Sequence, residues 1–398
     1  MAYICNFNCK SWPIFVILQE ILHNMYYKRD IESQINKWLK KREVLIIYGA
    51  RQVGKSTLLQ QIFSNRNDAM ILNCELPVVS DILSGKDLSQ IETLFENHKI
   101  IALDEAQVIP DIGSVLKLIY DELPRYKIIA TGSSSFELSR KITEPLTGRN
   151  IKFRLYPLSL TELKDTDGWL SVLNNLKQLL VYGSYPGIIR LDTHSKQIKL
   201  AEITSDYLFR DVLAFENIKN SGVLRKLLKA LALQTGQLVS TNELSNLLGI
   251  ARQTIEKYID LLEKSFVIFH LSPFSSNLRN EIRKSNKYYF YDLGIRNALI
   301  GNIIPIDRRN DAGSLWENFC VTERMKWLNI HQPLTNIYFW RTYDGAEIDL
   351  LEEYNGQIDT FEFKWKKKRA KLPESFRHSY PVRSYRVITP SDLHLLIE

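Results

Sequence analysis

The feature that most constrains the fold is a glycine-rich segment that directly follows a short apolar run. The run Val44–Tyr48 has the length and composition of a buried strand. Residues 49–57, Gly-Ala-Arg-Gln-Val-Gly-Lys-Ser-Thr, follow at once and match the pattern G-x-x-x-x-G-K-[ST]. A strand, a glycine-rich loop and a helix in this order surround phosphate groups with backbone amides and a helix N-terminus. The sequence therefore predicts a nucleotide-binding α/β domain.

Individual residues of this loop have distinct predicted roles. Gly49 and Gly54 allow backbone amides to curl around the phosphates, Lys55 reaches the outer phosphates, and Ser56 holds a magnesium ion. The whole loop forms the predicted nucleotide-binding set: Gly49, Ala50, Arg51, Gln52, Val53, Gly54, Lys55, Ser56 and Thr57.

Two carboxylates follow a second apolar run, residues 100–103. A buried strand that ends in two acids supplies what the metal side of such a site requires. We expect Asp104 to support magnesium through its water ligands. We expect Glu105 to position and deprotonate the attacking water.

Hydroxyls and an arginine lie near the ends of later predicted strands. The strand at 127–130 leads into a serine-rich segment, in which Thr131 is the first candidate to hold the lytic water and Ser133 and Ser134 are alternatives. Arg149 precedes another strand. It is either an arginine finger that reaches the phosphate of a neighbouring subunit or a solvated loop charge.

Apolar runs that alternate with helical stretches indicate a parallel sheet covered by helices, a three-layer α/β domain. The predicted strands are 44–48, 70–73, 100–104, 127–131 and 151–155. The ordered phrases GARQVGKST, LDEAQ, TGSSS, LTGR, YPLS with Glu162, and YGSYP resemble the prokaryotic AAA-type ATPases that carry a C-terminal domain of unknown function. The similarity covers roughly residues 25–390. It implies ATP as the nucleotide and hydrolysis as the reaction, and it implies no substrate.

The middle of the chain is predicted to be helical. Residues 158–221 form a lid or connector in which Arg190 or Arg210 either contacts nucleotide or joins a structural ion pair. Residues 222–275 have the order helix, helix, short turn, helix, strand, which is typical of a winged helix-turn-helix. Its third helix would expose Arg252, Gln253, Glu256 and Lys257 to DNA. Such modules also dock proteins, and the acidic residues of this helix weaken a phosphate-binding surface.

The C-terminal part, residues 280–398, contains a possible second chemical site. Glu317 lies on a predicted helix, and Asp349, Glu362 and Lys364 follow in an order that resembles the PD-(D/E)xK nuclease fold. The three carboxylates would bind one or two magnesium ions, and Lys364 would steady the nucleophilic water. Lys364 lies two residues after Glu362, so the two should face the same side of the strand. A half-exposed hairpin that turns at Asn355-Gly356 would show the same alternation of charged and apolar residues, and inactive copies of this fold serve for binding.

Composition limits the remaining possibilities. At about 150 residues per domain, 398 residues indicate several domains, here an ATPase core at 25–157 followed by the three parts above. Residues 1–24 are either an upstream extension or an N-terminal arm. Four cysteines without paired spacing argue against disulfide or zinc scaffolds and suggest the reducing cytoplasm. No stretch approaches the roughly 20 apolar residues of a membrane helix.

The predicted function is Mg²⁺-dependent ATP hydrolysis coupled to DNA. The net charge of +7 and the basic run at 364–371 are compatible with a nucleic acid partner. Two alternatives stay open: an ATP-dependent regulatory switch that acts on a protein, and an ATP-gated nuclease. Assembly into a homo-oligomer is a hypothesis that rests on Arg149.

Overall fold

The computed structural model describes residues 26–133, 146–207, 221–275, 285–366 and 370–398. The N-terminal segment 1–24, Ser134, Arg210 and residues 367–369 of the basic run lie outside the described residues.

The first sheet has five parallel strands in the order β2-β3-β4-β1-β5. The strands are β1 Val44–Tyr48, β2 Ala69–Asn73, β3 Ile100–Asp104, β4 Lys127–Gly132 and β5 Asn150–Arg154. The flanking helices are α1 Glu32–Trp38, α2 Lys55–Phe63, α3 Pro77–Gly85, α4 Leu88–Phe95 and α5 Ile112–Glu122. The predicted parallel α/β sheet is confirmed. Because β1 lies beside β4 and β4 beside β3, the segments after these strands meet at one edge of the sheet.

Four helices follow this sheet: α6 Leu160–Asp167, α7 Trp169–Tyr182, α8 Pro186–Ile189 and α9 Thr193–Glu202. A capping box of Ser159 and Glu162 starts α6. The segment after α7 packs against the start of a later helix, where Asp292 accepts hydrogen bonds from the backbone nitrogens of Ser184 (2.7 Å) and Ile295 (3.0 Å). A Cβ at Gly183 would lie 2.1 Å from an Asp292 oxygen, so glycine is required there.

Three further helices pack with a small antiparallel sheet. The helices are α10 Ser221–Leu233, α11 Thr241–Leu248 and α12 Arg252–Lys264, and the strands are β6 Leu238–Val239, β7 Ile268–Pro273 and β8 Asn286–Phe290. In the sequence, Ser240 and Thr241 are both favourable N-caps for α11. The structure uses Ser240, whose side chain accepts from the backbone nitrogen of Glu243, and α11 ends before Gly249 as its glycine predicts. The apolar run at residues 266–269 predicts a strand from Phe266, but β7 begins at Ile268. Phe266 has a φ of 57°, and its backbone nitrogen donates to the carbonyl oxygen of Glu263 in α12.

Strand β7 also pairs in parallel with a later strand, so within the described ranges the remaining strands form one sheet of seven in the order β12-β11-β10-β9-β7-β8-β6. The later strands are β9 Asn336–Arg341, β10 Glu347–Tyr354, β11 Gln357–Phe363 and β12 Val382–Ile388. The later helices are α13 Leu293–Leu299, α14 Ala312–His331 and α15 Glu374–Ser379. The predicted hairpin turn is confirmed by the positive φ angles of Asn355 and Gly356.

Aromatic side chains join the two sheets. Tyr48 at the end of β1 lies 5.7 Å from Phe266, and Tyr156 stacks on Tyr291 at 5.6 Å, measured between ring centroids. Both contacts belong to one continuous buried core. Across the ranges that the structure describes, we find no helix with the length and hydropathy needed to cross a membrane.

Candidate functional site

The glycine-rich loop connects β1 to α2 as predicted. Gly54 has a φ of 98° and precedes the first residue of α2, which is Lys55. Lys55 is buried, and its ammonium donates to the carbonyl oxygens of Gly49 (3.0 Å) and Ala50 (3.1 Å). Ser56 follows on the first turn of α2 and is half-buried. The loop thus curls around the lysine ammonium at the N-terminus of a helix, which is the arrangement that binds phosphate.

Gly49 is also required for a reason that the sequence did not indicate. A Cβ at this position would lie 2.1 Å from the carbonyl oxygen of Leu155, which follows β5. The start of the loop therefore packs directly against the neighbouring backbone.

The two acids lie at the same sheet edge as the loop. Thr131, at the end of β4, donates its hydroxyl hydrogen to Asp104 Oδ1 (2.5 Å) and accepts from the backbone nitrogen of Glu105 (3.0 Å). The structure brings these three predicted residues together. Because the hydroxyl hydrogen of Thr131 is donated to Asp104, Thr131 positions this carboxylate. A contact between Thr131 and the lytic water stays a prediction.

Gln107 is a site residue that the sequence reasoning missed, although it ends the quoted phrase LDEAQ. Its Nε2 donates to Glu105 Oε2 (2.5 Å) and to Ser133 Oγ (3.3 Å), which orients the Glu105 carboxylate. Within the described part of the chain, its buried Oε1 accepts no hydrogen bond. Glu105 has a φ of 54°, an uncommon left-handed conformation for a side chain of this size.

Arg149 lies away from the loop of its own chain. It immediately precedes β5, and the parallel pairing of β5 with β1 places it at the opposite edge of the sheet. Its Nε lies 3.0 Å from Asp121 Oδ1, and both side chains are about one-third exposed. A contact between Arg149 and the phosphate of a neighbouring subunit stays a prediction, and it would require this surface pair to open.

A buried arginine before α1 connects the loop to the following helices. Arg29 donates to the carbonyl oxygens of Val53 (2.7 Å) and Tyr156 (2.6 Å) and to Glu162 Oε1 (2.9 Å). Its side chain and that of Glu162 are 4% and 5% exposed. Arg29 was not predicted, because its partners are far away in the sequence. Through its bond to the carbonyl oxygen of Val53, Arg29 holds the backbone of the loop in place.

Asp30 lies beside this ion pair and gives the region an expected pH dependence. Burial, followed by the charge of Glu162, raises the pKa of Asp30 to about 7. The native state therefore binds a proton that the unfolded state releases near pH 4, and stability should fall as pH rises toward 7. We expect Asp30→Asn to remove this dependence, so that the variant gains stability relative to the wild type between pH 5 and 8. Urea denaturation of the wild type and the variant at pH 5 and at pH 8 measures the difference in their free energies of unfolding.

The exposed Asp81→Asn substitution serves as the control for the loss of one surface carboxylate. A difference between Asp30→Asn and wild type that is the same at pH 5 and pH 8 would contradict the expectation.

The predicted C-terminal residues come together between α14, β10 and β11. Lys364 forms an ion pair with Glu362, which confirms that the two face the same side of the chain. The backbone nitrogen of Phe363 donates to Asp349 Oδ2 (2.8 Å). Burial and the neighbouring charges of Glu317 and Glu362 raise the pKa of Asp349 well above its usual range.

Three residues of this cluster were missed. Lys287 of β8 lies 3.0 Å from Glu317 Oε1 and contacts Glu347, and Tyr289 donates to Glu317 Oε1 (2.7 Å). In the described ranges, no three acidic, histidine or cysteine side chains are grouped closely enough to bind a metal ion. Lysine ammonium groups contact two of the three predicted magnesium ligands, Glu317 and Glu362. Binding of magnesium by Glu317, Asp349 and Glu362 stays a prediction.

The remaining candidate cations are placed as follows. Arg190 pairs with Asp167 (3.1 Å) and donates to the Tyr27 hydroxyl (3.0 Å), which agrees with the structural alternative. All four predicted recognition residues are exposed on α12: Arg252, Gln253, Glu256 and Lys257. Arg252 Nε lies 2.7 Å from Glu256 Oε1.

Comparisons with family models divide the chain into three matched segments. Residues 41–164 match the model described as AAA domain. Residues 173–303 and 312–395 match two domains of unknown function, DUF8612 and DUF4143.

Similar proteins come from several prokaryotes. An uncharacterized protein of Mycobacterium tuberculosis is 29% identical over 343 residues, which are 85% of this chain and 74% of the relative. One of Haemophilus influenzae is 28% identical over 282 residues, 65% of this chain and 69% of the relative. Among solved structures, the Walker-type ATPase PABY2304 of Pyrococcus abyssi aligns with a TM-score of 0.49 and 18% identity, covering 69% of this chain and 96% of that one. The loop geometry and the family match agree: residues 41–164 match the AAA domain model and contain a phosphate-binding loop between β1 and α2.

Proposed function

We propose that this protein hydrolyses ATP in a Mg²⁺-dependent reaction and couples the reaction to DNA. The observation that carries the hydrolysis proposal is the hydrogen-bonded group of Asp104, Thr131, Glu105 and Gln107 at the sheet edge that also holds the phosphate loop. A binding site alone would not require a second carboxylate held in a fixed orientation.

Each residue has a role that follows from its position. The loop amides and Lys55 would bind the phosphates, with the lysine exchanging the carbonyl oxygens of Gly49 and Ala50 for phosphate oxygens. Ser56 would provide an oxygen ligand that suits Mg²⁺, and Asp104 would support the ion through its water ligands. When bound, Mg²⁺ would offset the negative charge of the phosphate groups. Arg149 lies at the other sheet edge, so it would act only on the nucleotide of a neighbouring subunit.

Glu105 would accept a proton from the attacking water. The amide of Gln107 holds one of its carboxylate oxygens at 2.5 Å, which leaves the other oxygen to contact the water. A general base at this position typically contributes a factor of about 10²–10⁴ to the rate.

Support for DNA coupling comes from the second half of the chain. The order α10, β6, α11, α12, β7, β8 is that of a winged helix, in which the third helix enters the major groove of DNA. Arg252 and Lys257 are exposed on this helix. The Arg252–Glu256 pair weakens the positive surface, so a protein partner and a regulatory switch form the second candidate.

ATP turnover with and without DNA tests the coupling. We expect double-stranded DNA to increase turnover by the wild type and by Lys226→Ala/Lys229→Ala, which removes two exposed charges from α10. We expect Arg252→Ala/Lys257→Ala to lose this stimulation, with the slope of log K against log salt reduced by about 0.9 for each lost phosphate contact. DNA that leaves all three rates unchanged would remove the DNA proposal and favour the protein-directed switch.

A further inference from the structure

The C-terminal carboxylate cluster contains its own buried cation. Lys287 is 1% exposed and projects from β8 between Glu317 of α14 and Glu347 of β10. Its ammonium lies 3.0 Å from Glu317 Oε1 and 5.6 Å from the ring centre of Phe339. Two glutamates and one aromatic ring thus contact this buried ammonium.

Each predicted metal ligand already has a donor from this chain. Glu317 accepts from Lys287 and from the Tyr289 hydroxyl (2.7 Å). Glu362 is paired with Lys364, and one Asp349 oxygen accepts from the Phe363 nitrogen (2.8 Å).

A divalent cation would have to compete with these donors. Magnesium binds oxygen atoms at about 2.0–2.1 Å in near-octahedral geometry and tolerates little distortion. The Lys287 ammonium contacts Glu317, which is one of the three predicted ligands, and the neighbouring Glu347. It carries charge of the same sign as the metal ion, so the two cations would repel one another strongly at low dielectric.

We infer that Lys287 takes the place of a divalent cation in this cluster, so that the C-terminal sheet has no metal-dependent nuclease centre. The ammonium balances the carboxylates without a metal. The ammonium also joins β8 to β10 and α14. Strand β8 itself pairs with β6 and β7, which pack with helices α10 to α12. The cluster is an electrostatic link between these elements.

Binding of Mn²⁺ to the full-length protein tests the inference. We expect the wild type and Asp349→Asn to bind the same number of Mn²⁺ ions in equilibrium dialysis, since the cluster binds none. Lys287→Met keeps the length of the side chain and removes its charge, so this variant should bind one additional Mn²⁺. The double variant Lys287→Met/Asp349→Asn should lose that ion again.

Thermal unfolding gives an independent measurement. We expect Lys287→Met to have a lower Tm than the wild type, and we expect Mn²⁺ to raise the Tm of this variant by several degrees. Mn²⁺ should change the Tm of the wild type and of Asp349→Asn by the same amount. A folded Lys287→Met variant that gains no ion would overturn the inference. If this variant does not fold, the wild type still decides: one Mn²⁺ bound by the wild type and lost in Asp349→Asn would overturn it, and equal binding would support it.

Discussion

The Glu105→Gln variant is expected to bind ATP with unchanged affinity and to hydrolyse it at least about 100-fold more slowly than the wild type. The amide cannot accept the proton of the attacking water, although it has nearly the same size as the carboxylate. Gln107 and the Thr131 hydroxyl would keep the local backbone in place. Single-turnover hydrolysis and equilibrium binding of ATP separate the chemical step from affinity.

The matched control is Glu75→Gln, an exposed glutamate shortly after β2 on the same domain, which should hydrolyse ATP at the wild-type rate. Unchanged hydrolysis by Glu105→Gln would show that another group accepts the proton. The same variant distinguishes two uses of ATP: a DNA-coupled motor loses its output when it cannot hydrolyse, whereas a binding switch remains in its ATP-bound state.

Loss of the Arg29 side chain is expected to reduce both stability and nucleotide affinity. In Arg29→Met, Glu162 becomes a buried charge without its partner, and such changes typically cost about 3–5 kcal/mol. The carbonyl oxygen of Val53 also loses its 2.7 Å donor, so the phosphate loop is held less firmly and ATP should bind more weakly. Urea denaturation and ATP binding measure the two effects.

Arg66→Met provides the control, because the Arg66–Asp68 pair is well exposed and such pairs contribute about 0–1 kcal/mol. The double variant Arg29→Met/Glu162→Met should recover part of the lost stability, since no buried charge is left alone. A loss of less than about 1 kcal/mol in Arg29→Met would contradict the role assigned to the buried pair.

Local sequence was enough to predict most elements of the fold. The strand Val44–Tyr48 is buried along its whole length, and apolar runs of this kind identify central parallel strands. Caps and turns were equally informative, because the Ser240 cap and the Asn355-Gly356 turn depend on the conformation of only a few adjacent residues. The prediction that Glu362 and Lys364 share one side of the chain follows from the two-residue period of a strand.

The phosphate loop and the two acids were predictable for the same reason. Each combines a short motif with the strand that precedes it, and parallel strands bring their carboxyl ends to a common edge. The exact role of Thr131 was not predictable, because it depends on the 2.5 Å contact that its hydroxyl makes with Asp104 of the neighbouring strand.

The sequence by itself determined the strands, the loop and the order of the acids, while the tertiary structure alone decided how the buried charges are balanced. Arg29 meets Glu162 across 133 residues of chain, and Lys287 meets Glu317 across 30. Lys287 lies in a strand that reads as a run of aromatics, and nothing nearby in the sequence indicates its partners. Periodicity reports which face of an element is buried, but the energy of a buried charge depends on distances between elements. Those distances exist only once the chain has folded.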